Sequence, residues 1–251
     1  MSVDKRRQKI IHYLSERDIV AVSALIAAMD ESAATIRRDL RFLEENGIIE
    51  RIHGYAKYLQ PNVVSNIPVT EKQTSVAAVA AEMIPDNTTI LLDSGVSAVA
   101  LAQQLTERSN LEIITNSISV ANHLLLAEPV VSMIGGRLIG RQECVVGPDA
   151  IDYVSKLHVP YAFITTTGVR AYHGLVCATS DQAMLKSAMI RAAERVIVLA
   201  DSEKIERDSV RLFATFDEVD VLITDAEPKN KKFVQDLAAH NVELLIAGHQ
   251  Q

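Results

Sequence analysis

Four side chains in the stretch TIRRDLR, namely Thr35, Arg37, Arg38 and Arg41, could do chemistry on a nucleic acid. Ile36, Leu40 and Leu43 recur at helical spacing, so they share one stripe while the arginines and Thr35 point away from it. Arginine pairs bidentately with guanine in the major groove, and hydroxyls meet other base edges, which makes Thr35, Arg37 and Arg38 the candidate readers. Arg41, Arg51, His53 and Lys57 are placed to meet phosphates, giving affinity that carries little sequence information and falls with salt. A second set lies further on: Asp93, Ser94, Gly95 and Ser97; Thr115, Asn116 and Ser117; Gly135, Gly136 and Arg137; Asp201 and Lys204. Hydroxyls, glycine amides, an asparagine and two cations suit a small phosphorylated polyol, with Asp93 or Asp201 accepting from its hydroxyls.

The first set needs a short helix held by others. Ser32 can cap that helix through its side-chain oxygen, and Gly47 can close it, so it spans about 14 residues at most. Residues 6–15 supply Ile10, Ile11 and Leu14 as an earlier apolar stripe, and Ser23 can cap a second helix over 24–29. Three helices in so short a span predict a helix-turn-helix. Strands over 48–52 and 56–60, turning at Gly54 and Tyr55, would add a wing.

Residues 60–69 form a linker containing two prolines and two asparagines, so the chain divides into 1–59, the linker and 70–251. From residue 70 helices and Ile/Leu/Val-rich strands alternate. Helices are predicted over 71–83, 98–105, 120–126, 181–194 and 231–240, and strands over 88–92, 111–115, 130–134, 161–165, 196–200, 219–224 and 242–246. That alternation implies an α/β domain with a mostly parallel sheet covered on both faces. Each polar cluster of the second set follows such a strand, and ligands of open α/β sheets gather outside the carboxyl ends.

The chain has 251 residues, 48% of them hydrophobic, enough for one small and one larger core. Its net charge of −7 is divided unevenly: residues 1–57 hold ten Lys or Arg against nine Asp or Glu, and the remainder holds 15 against 23. Nucleic-acid affinity would therefore rest on where the arginines lie and on two copies acting together. Cys144 and Cys177 lack ligand spacing and read as reduced thiols of a cytoplasmic protein. No signal sequence or run of about 18 apolar residues points to export or a membrane. No metal or cofactor motif stands out, since GxGxxG, the P-loop and metal-ligand clusters are absent from the sequence. His173 before Gly174 reads as a turn residue, and His158 carries no assigned chemistry.

TIRRDL, then LEENGIIER, then HGYA resembles the signature of the DeoR-type bacterial transcriptional regulators, with Tyr55 replacing the family's second wing glycine. The resemblance implies a winged helix-turn-helix and a sensor domain resembling ribose-5-phosphate isomerase and coenzyme A transferase folds. Its sensor marks correspond to Asp93, Gly95, Ser97, Thr115, Asn116, Gly135, Gly136, Gly147, Asp201, Ser202 and Lys204. The chain departs at Val96, which removes a hydroxyl, and at Glu203, which brings a negative charge beside a phosphate site if it faces inward. Asp181 and Lys186 match a family helix start and receive a rim role. The implied function is a repressor of carbohydrate use, a homodimer or homotetramer on a double-stranded DNA operator, released by a phosphorylated sugar, alditol or sugar acid. The rival is a sugar-phosphate isomerase using Asp93, Asp201 and Lys204, for which no further acid/base pair stands in the chain.

Overall fold

The computed structural model describes residues 3–17, 19–29, 31–45, 48–58 and 68–248, and the chain divides into two compact units, 1–66 and 67–251. Gly47 and residues 59–67, which include most of the expected linker, lie outside the described residues.

In the first unit α1 spans Val3–Ser15, β1 Val20–Ala21, α2 Val22–Ala28, α3 Ala33–Glu45, β2 Ile49–Ile52 and β3 Tyr55–Tyr58. Ile10, Leu14, Leu25, Ile36, Leu40 and Leu43 are buried together with Ile49 and Ala56, so the predicted apolar stripes are the core. Ser32 accepts a hydrogen bond from the Thr35 N–H at 3.2 Å, and α3 starts where its cap implies. Ser23 does not cap α2. The helix begins at Val22, because Val20 and Ala21 pair with Ala56 and Tyr55, and the Val22 N–H donates to the Gly54 carbonyl at 2.9 Å. A sheet contact thus satisfies the first amide of the helix, one residue ahead of the expected cap.

The wing turn also differs from expectation. His53 and Gly54 carry φ of 45° and 89°, and Ile52 pairs with Tyr55 across them. Positive φ at both central residues gives the twist of a two-residue type I′ hairpin. Tyr55 is therefore a strand residue, and the glycine it replaces is not required by the turn.

In the second unit α4 spans Glu71–Glu82, β4 Thr88–Leu92, α5 Val96–Gln104, β5 Leu111–Thr115, α6 Ile118–His123 and β6 Val130–Met133. A hairpin of β7 (Arg137–Ile139) and β8 (Cys144–Val146) follows, then α7 (Pro148–Ser155), β9 (Val159–Thr165), β10 (Gly168–Arg170) and β11 (Gly174–Cys177). The chain continues through α8 (Ser180–Arg191), β12 (Ala193–Leu199), β13 (Arg211–Ala214), β14 (Val221–Thr224), α9 (Lys231–Ala239) and β15 (Glu243–Ile246). Among the described residues the main sheet has seven strands in the order β15-β14-β12-β9-β4-β5-β6, all parallel. Both faces are dry: Ala162, Ile164, Val196 and Val198 pack on one side, Phe163, Ile197 and Leu199 on the other. Full burial of a side chain as large as Phe163 stabilises by roughly 1.5–3 kcal/mol.

The predicted alternation is the main sheet. Helix α8 ends three residues before expected, because Glu194 already lies in β12 beside the parallel neighbour β9. Not foreseen were the hairpin β7/β8, helix α7 and the antiparallel sheet β10-β11-β13. These pieces lie outside the regular helix-strand alternation, and most are too short to show a period of their own.

Candidate functional site

On α3, Arg37, Arg38 and Arg41 are exposed, and Thr35 is half-buried with its hydroxyl 2.8 Å from that of Ser32. The helix is oriented from behind. Asp39, which follows the exposed Arg37 and Arg38 and precedes Leu40 of the apolar stripe, is 1% exposed; its two oxygens accept from Arg6 Nε at 2.6 Å and Arg7 Nε at 3.1 Å. Arg7 also stacks its guanidinium 3.6 Å from the centroid of Phe42. Two arginines of α1 thereby fix the rotation of α3 about its axis, which decides where Arg37 and Arg38 point. Sequence reasoning passed over these three residues, although an aspartate inside an arginine run on an apolar stripe was the available signal. Arg51 is exposed and paired with Glu44 at 3.3 Å, His53 lies in the turn, and Lys57 stands opposite Glu50 on the wing.

Because the main sheet is parallel, the segments after β4, β5, β9, β12 and β14 emerge at one edge. Asp93, Ser94, Ser97, Thr115, Asn116, Ser117, Thr165, Thr166, Asp201 and Thr224 are all buried there, an unusual density of polar groups for a core. At its centre is an ion pair that a rim role did not anticipate. Lys186, 5% exposed on α8, donates to Asp93 Oδ2, to the Thr165 carbonyl at 3.0 Å and to Thr165 Oγ1 at 3.2 Å. Asp93 Oδ2 further accepts from the Thr165 N–H at 3.0 Å. Taking both charges out of water is costly, and the bonds made by the ammonium and by Asp93 Oδ2 offset part of that cost. The run TTT after β9 stands at the same strand end as DSG and TNS and would have revealed Thr165.

Three buried polar atoms at this edge have no partner among the described residues: the acceptors Asp93 Oδ1 and Asn116 Oδ1 and the hydroxyl of Thr224. The rest of Asn116 is structural, with its Nδ2 donating to the Val145 carbonyl at 3.1 Å and so holding the β7/β8 hairpin. Thr115 Oγ1 accepts from the Ser117 N–H, and Ser117 caps α6. Helix α5 begins at Gly95, whose φ of 114° disfavours a side chain, and no side chain caps its first turn. Gly136 also needs its lack of a side chain, since at φ 145° a Cβ would come within 2.9 Å of the Val146 carbonyl. Gly135 faces open space, and Arg137 is exposed and paired with Asp181 at the start of α8.

The loop after β12 is organised from within. Asp201 Oδ1 accepts from the Glu203 N–H at 3.0 Å, and its Oδ2 accepts from Gln73 Nε2 at 2.8 Å. Glu203 is exposed and paired with Lys72 at 2.8 Å, which holds its carboxyl below the usual range. It therefore turns to solvent instead of opposing an anion. Burial pushes both the Cys144 and Cys177 thiols up, so neither is a thiolate nucleophile at neutral pH. Among the described residues no group of three or more His, Cys, Asp or Glu could hold a metal ion.

Comparison with known proteins now decides the family: the description "DeoR C terminal sensor domain" matches residues 69–226, and "DeoR-like helix-turn-helix domain" matches residues 6–62. The chain belongs to the DeoR family. It is 30% identical to the transcriptional repressor AccR of Agrobacterium fabrum over 93% of this chain and 97% of the relative. It is 31% identical to the transcriptional repressor GlcR of Bacillus subtilis, covering 98% and 97%. Against the glycerol-3-phosphate regulon repressor of Escherichia coli K12 the identity is 29%, covering 97% and 99%. Among solved structures, the ribose 5-phosphate isomerase of Methanocaldococcus jannaschii matches with TM-score 0.40 and 16% identity over 53% of each chain. The translation initiation factor eIF-2B of Pyrococcus horikoshii matches with TM-score 0.41 and 12% identity over 88% and 86%. This DeoR-family chain is a DNA-binding transcriptional regulator and not an isomerase: its curated relatives along the full length are repressors. The oxygens of Asp201, a base in the rival reading, are held by Gln73 and a backbone amide.

Proposed function

We propose that this regulator represses genes of carbohydrate use from the cytoplasm, gripping a repeated operator as a homodimer or homotetramer and letting go when a phosphorylated sugar, alditol or sugar acid binds its sensor. One small module buries too little surface to outcompete non-specific sites, which is the physical reason for a symmetric assembly. Arg37 and Arg38 with Thr35 read bases; Arg41, Arg51, His53 and Lys57 meet phosphates. The observation that carries the sensor reading is the pair of unpartnered, buried acceptors Asp93 Oδ1 and Asn116 Oδ1, which call for hydroxyl donors. The anionic end of such a ligand is served by the amides of Gly95, Val96 and Ser97 and by Lys204, whose ammonium makes no ion pair among the described residues. Arg137 joins them once it leaves Asp181.

The test uses the full chain. Duplexes are selected from a random pool, and melting is followed with glycerol 3-phosphate, fructose 1-phosphate, glucose 6-phosphate, their unphosphorylated parents and inorganic phosphate. At least one phosphorylated compound is expected to raise the melting temperature and weaken binding to the selected duplex, its parent doing neither. Selection yielding no preferred duplex, or melting insensitive to every phosphorylated compound, would overturn the corresponding half of the proposal.

A further inference from the structure

Helix α4 is the first element after the linker, and its opening turn is bonded to the loop after β12. Gln73 is the residue that joins them. Its Oε1 accepts from the Thr70 N–H at 2.9 Å and from Thr70 Oγ1 at 2.6 Å, completing a capping box, while its Nε2 donates to Asp201 Oδ2 at 2.8 Å across 128 residues of sequence. The neighbouring Lys72 reaches the same loop through Glu203.

That loop is stiff. Ser202 is held by Asp225 through both its N–H and its hydroxyl, the Lys204 N–H donates to the Asp201 carbonyl, and the Val169 N–H donates to the Lys204 carbonyl. A force on the Lys204 ammonium would therefore move the loop as a body, and Asp201 with it. Asp201 is 1% exposed, so water cannot replace the Gln73 donor if the two separate. A helix cap alone needs only the Gln73 oxygen; its nitrogen adds a second attachment that helix formation does not require.

We propose that Gln73 is a positioning residue that couples the effector loop to the point where the chain enters the sensor. Occupancy at Lys204 shifts the Asp201 carboxylate, Gln73 follows or releases it, and the Thr70 cap tightens or frays. The segment so affected leads covalently toward the DNA-reading unit. The coupling rests on the effector reading above, and ligand binding here acts on operator affinity through this bond.

Gln73→Glu separates the two attachments, because glutamate keeps the cap acceptor, loses the donor to Asp201 and sets a second carboxylate against it. The double variant Gln73→Glu with Asp201→Asn restores one hydrogen bond with donor and acceptor exchanged. Operator affinity is measured in the full chain with and without whichever of glycerol 3-phosphate, fructose 1-phosphate and glucose 6-phosphate melts the wild type highest, at saturation. The wild type should lose about 10-fold or more in affinity, Gln73→Glu less than about 2-fold with ligand binding retained, and the double variant should regain the wild-type ratio. A wild-type ratio in Gln73→Glu, or no recovery in a double variant saturated at its own measured affinity, overturns the coupling; if Asp201→Asn abolishes binding, hydrogen exchange of the unliganded chain decides.

Should none of the three compounds bind, the effector reading fails on its own, and hydrogen exchange of the unliganded chain decides the relay. Gln73→Glu should then speed exchange in both 68–76 and 200–206, and the double variant should slow both again; a change confined to one segment, or to neither, rejects it.

Discussion

The two units of this regulator hide opposite parts of their polar chemistry. In the first, an acid is inside: Asp39 is buried against Arg6 and Arg7, and the arginines proposed to read the partner are exposed. In the second, the polar groups credited with recognition are inside, with Asp93, Asn116, Thr165 and Lys186 all under one-tenth exposed. The difference follows from the ligands. A duplex is a large polyanion, attractive at a distance and able to reach outward side chains, so the reader has no need to desolvate its cations beforehand. A small metabolite offers few contacts, and each must be made by a group already dry and aimed.

The largest expected effect tests the buried ion pair. Lys186→Ala leaves Asp93 charged without its ammonium and should cost about 3–5 kcal/mol of stability in urea unfolding, while replacing both residues by apolar ones of similar volume should recover most of it. A loss under about 1 kcal/mol would show that the carboxylate finds water or protonates easily, and the contrast between units would collapse. Asp39→Ala should be milder, because Arg6 and Arg7 retain access to solvent, but it should weaken operator binding together with melting.

Next come the readers. Arg37→Ala and Arg38→Ala should each cost about 1–3 kcal/mol of operator affinity with little change in melting, since both side chains are exposed. Equal losses on selected and random duplexes would demote them to phosphate contacts.

The smallest effect is a pH dependence at the end of α9. The bond from His240 Nδ1 to Asp217 at 2.7 Å, aided by Asp236, raises the imidazole above its ordinary 6.5. A raised folded value means the stabilisation is complete below pH 6.5 and fades as pH rises through that higher value. The difference in urea midpoint between wild type and His240→Gln should therefore shrink from pH 6 to pH 9; a difference that grows would reverse the assignment.

Much of this was legible because local patterns and tertiary demands agree. The Ile36–Leu40–Leu43 stripe, the Ser32 cap and the alternating strands state their positions through spacing alone. Lys186 was underrated because nothing within α8 marks it: its meaning comes from Asp93, which is 93 residues away in sequence. The same holds for Asp39 with Arg6 and for Gln73 with Asp201. Ser23 and Tyr55 were misplaced since pairing between β1 and β3 overrode a local capping signal and a local turn signal.

By itself the sequence determined the helices and wing strands of the first unit and the helix-strand alternation of the main sheet, which face of each is apolar, and that an arginine-bearing helix precedes an α/β domain with polar strand ends, because these depend on periodicity and neighbouring residues. Only the tertiary structure decided which charges are neutralised in the interior and which remain for partners. Burial and pairing join residues far apart along the chain, and the cost of an unpaired charge is set by the surroundings that folding creates.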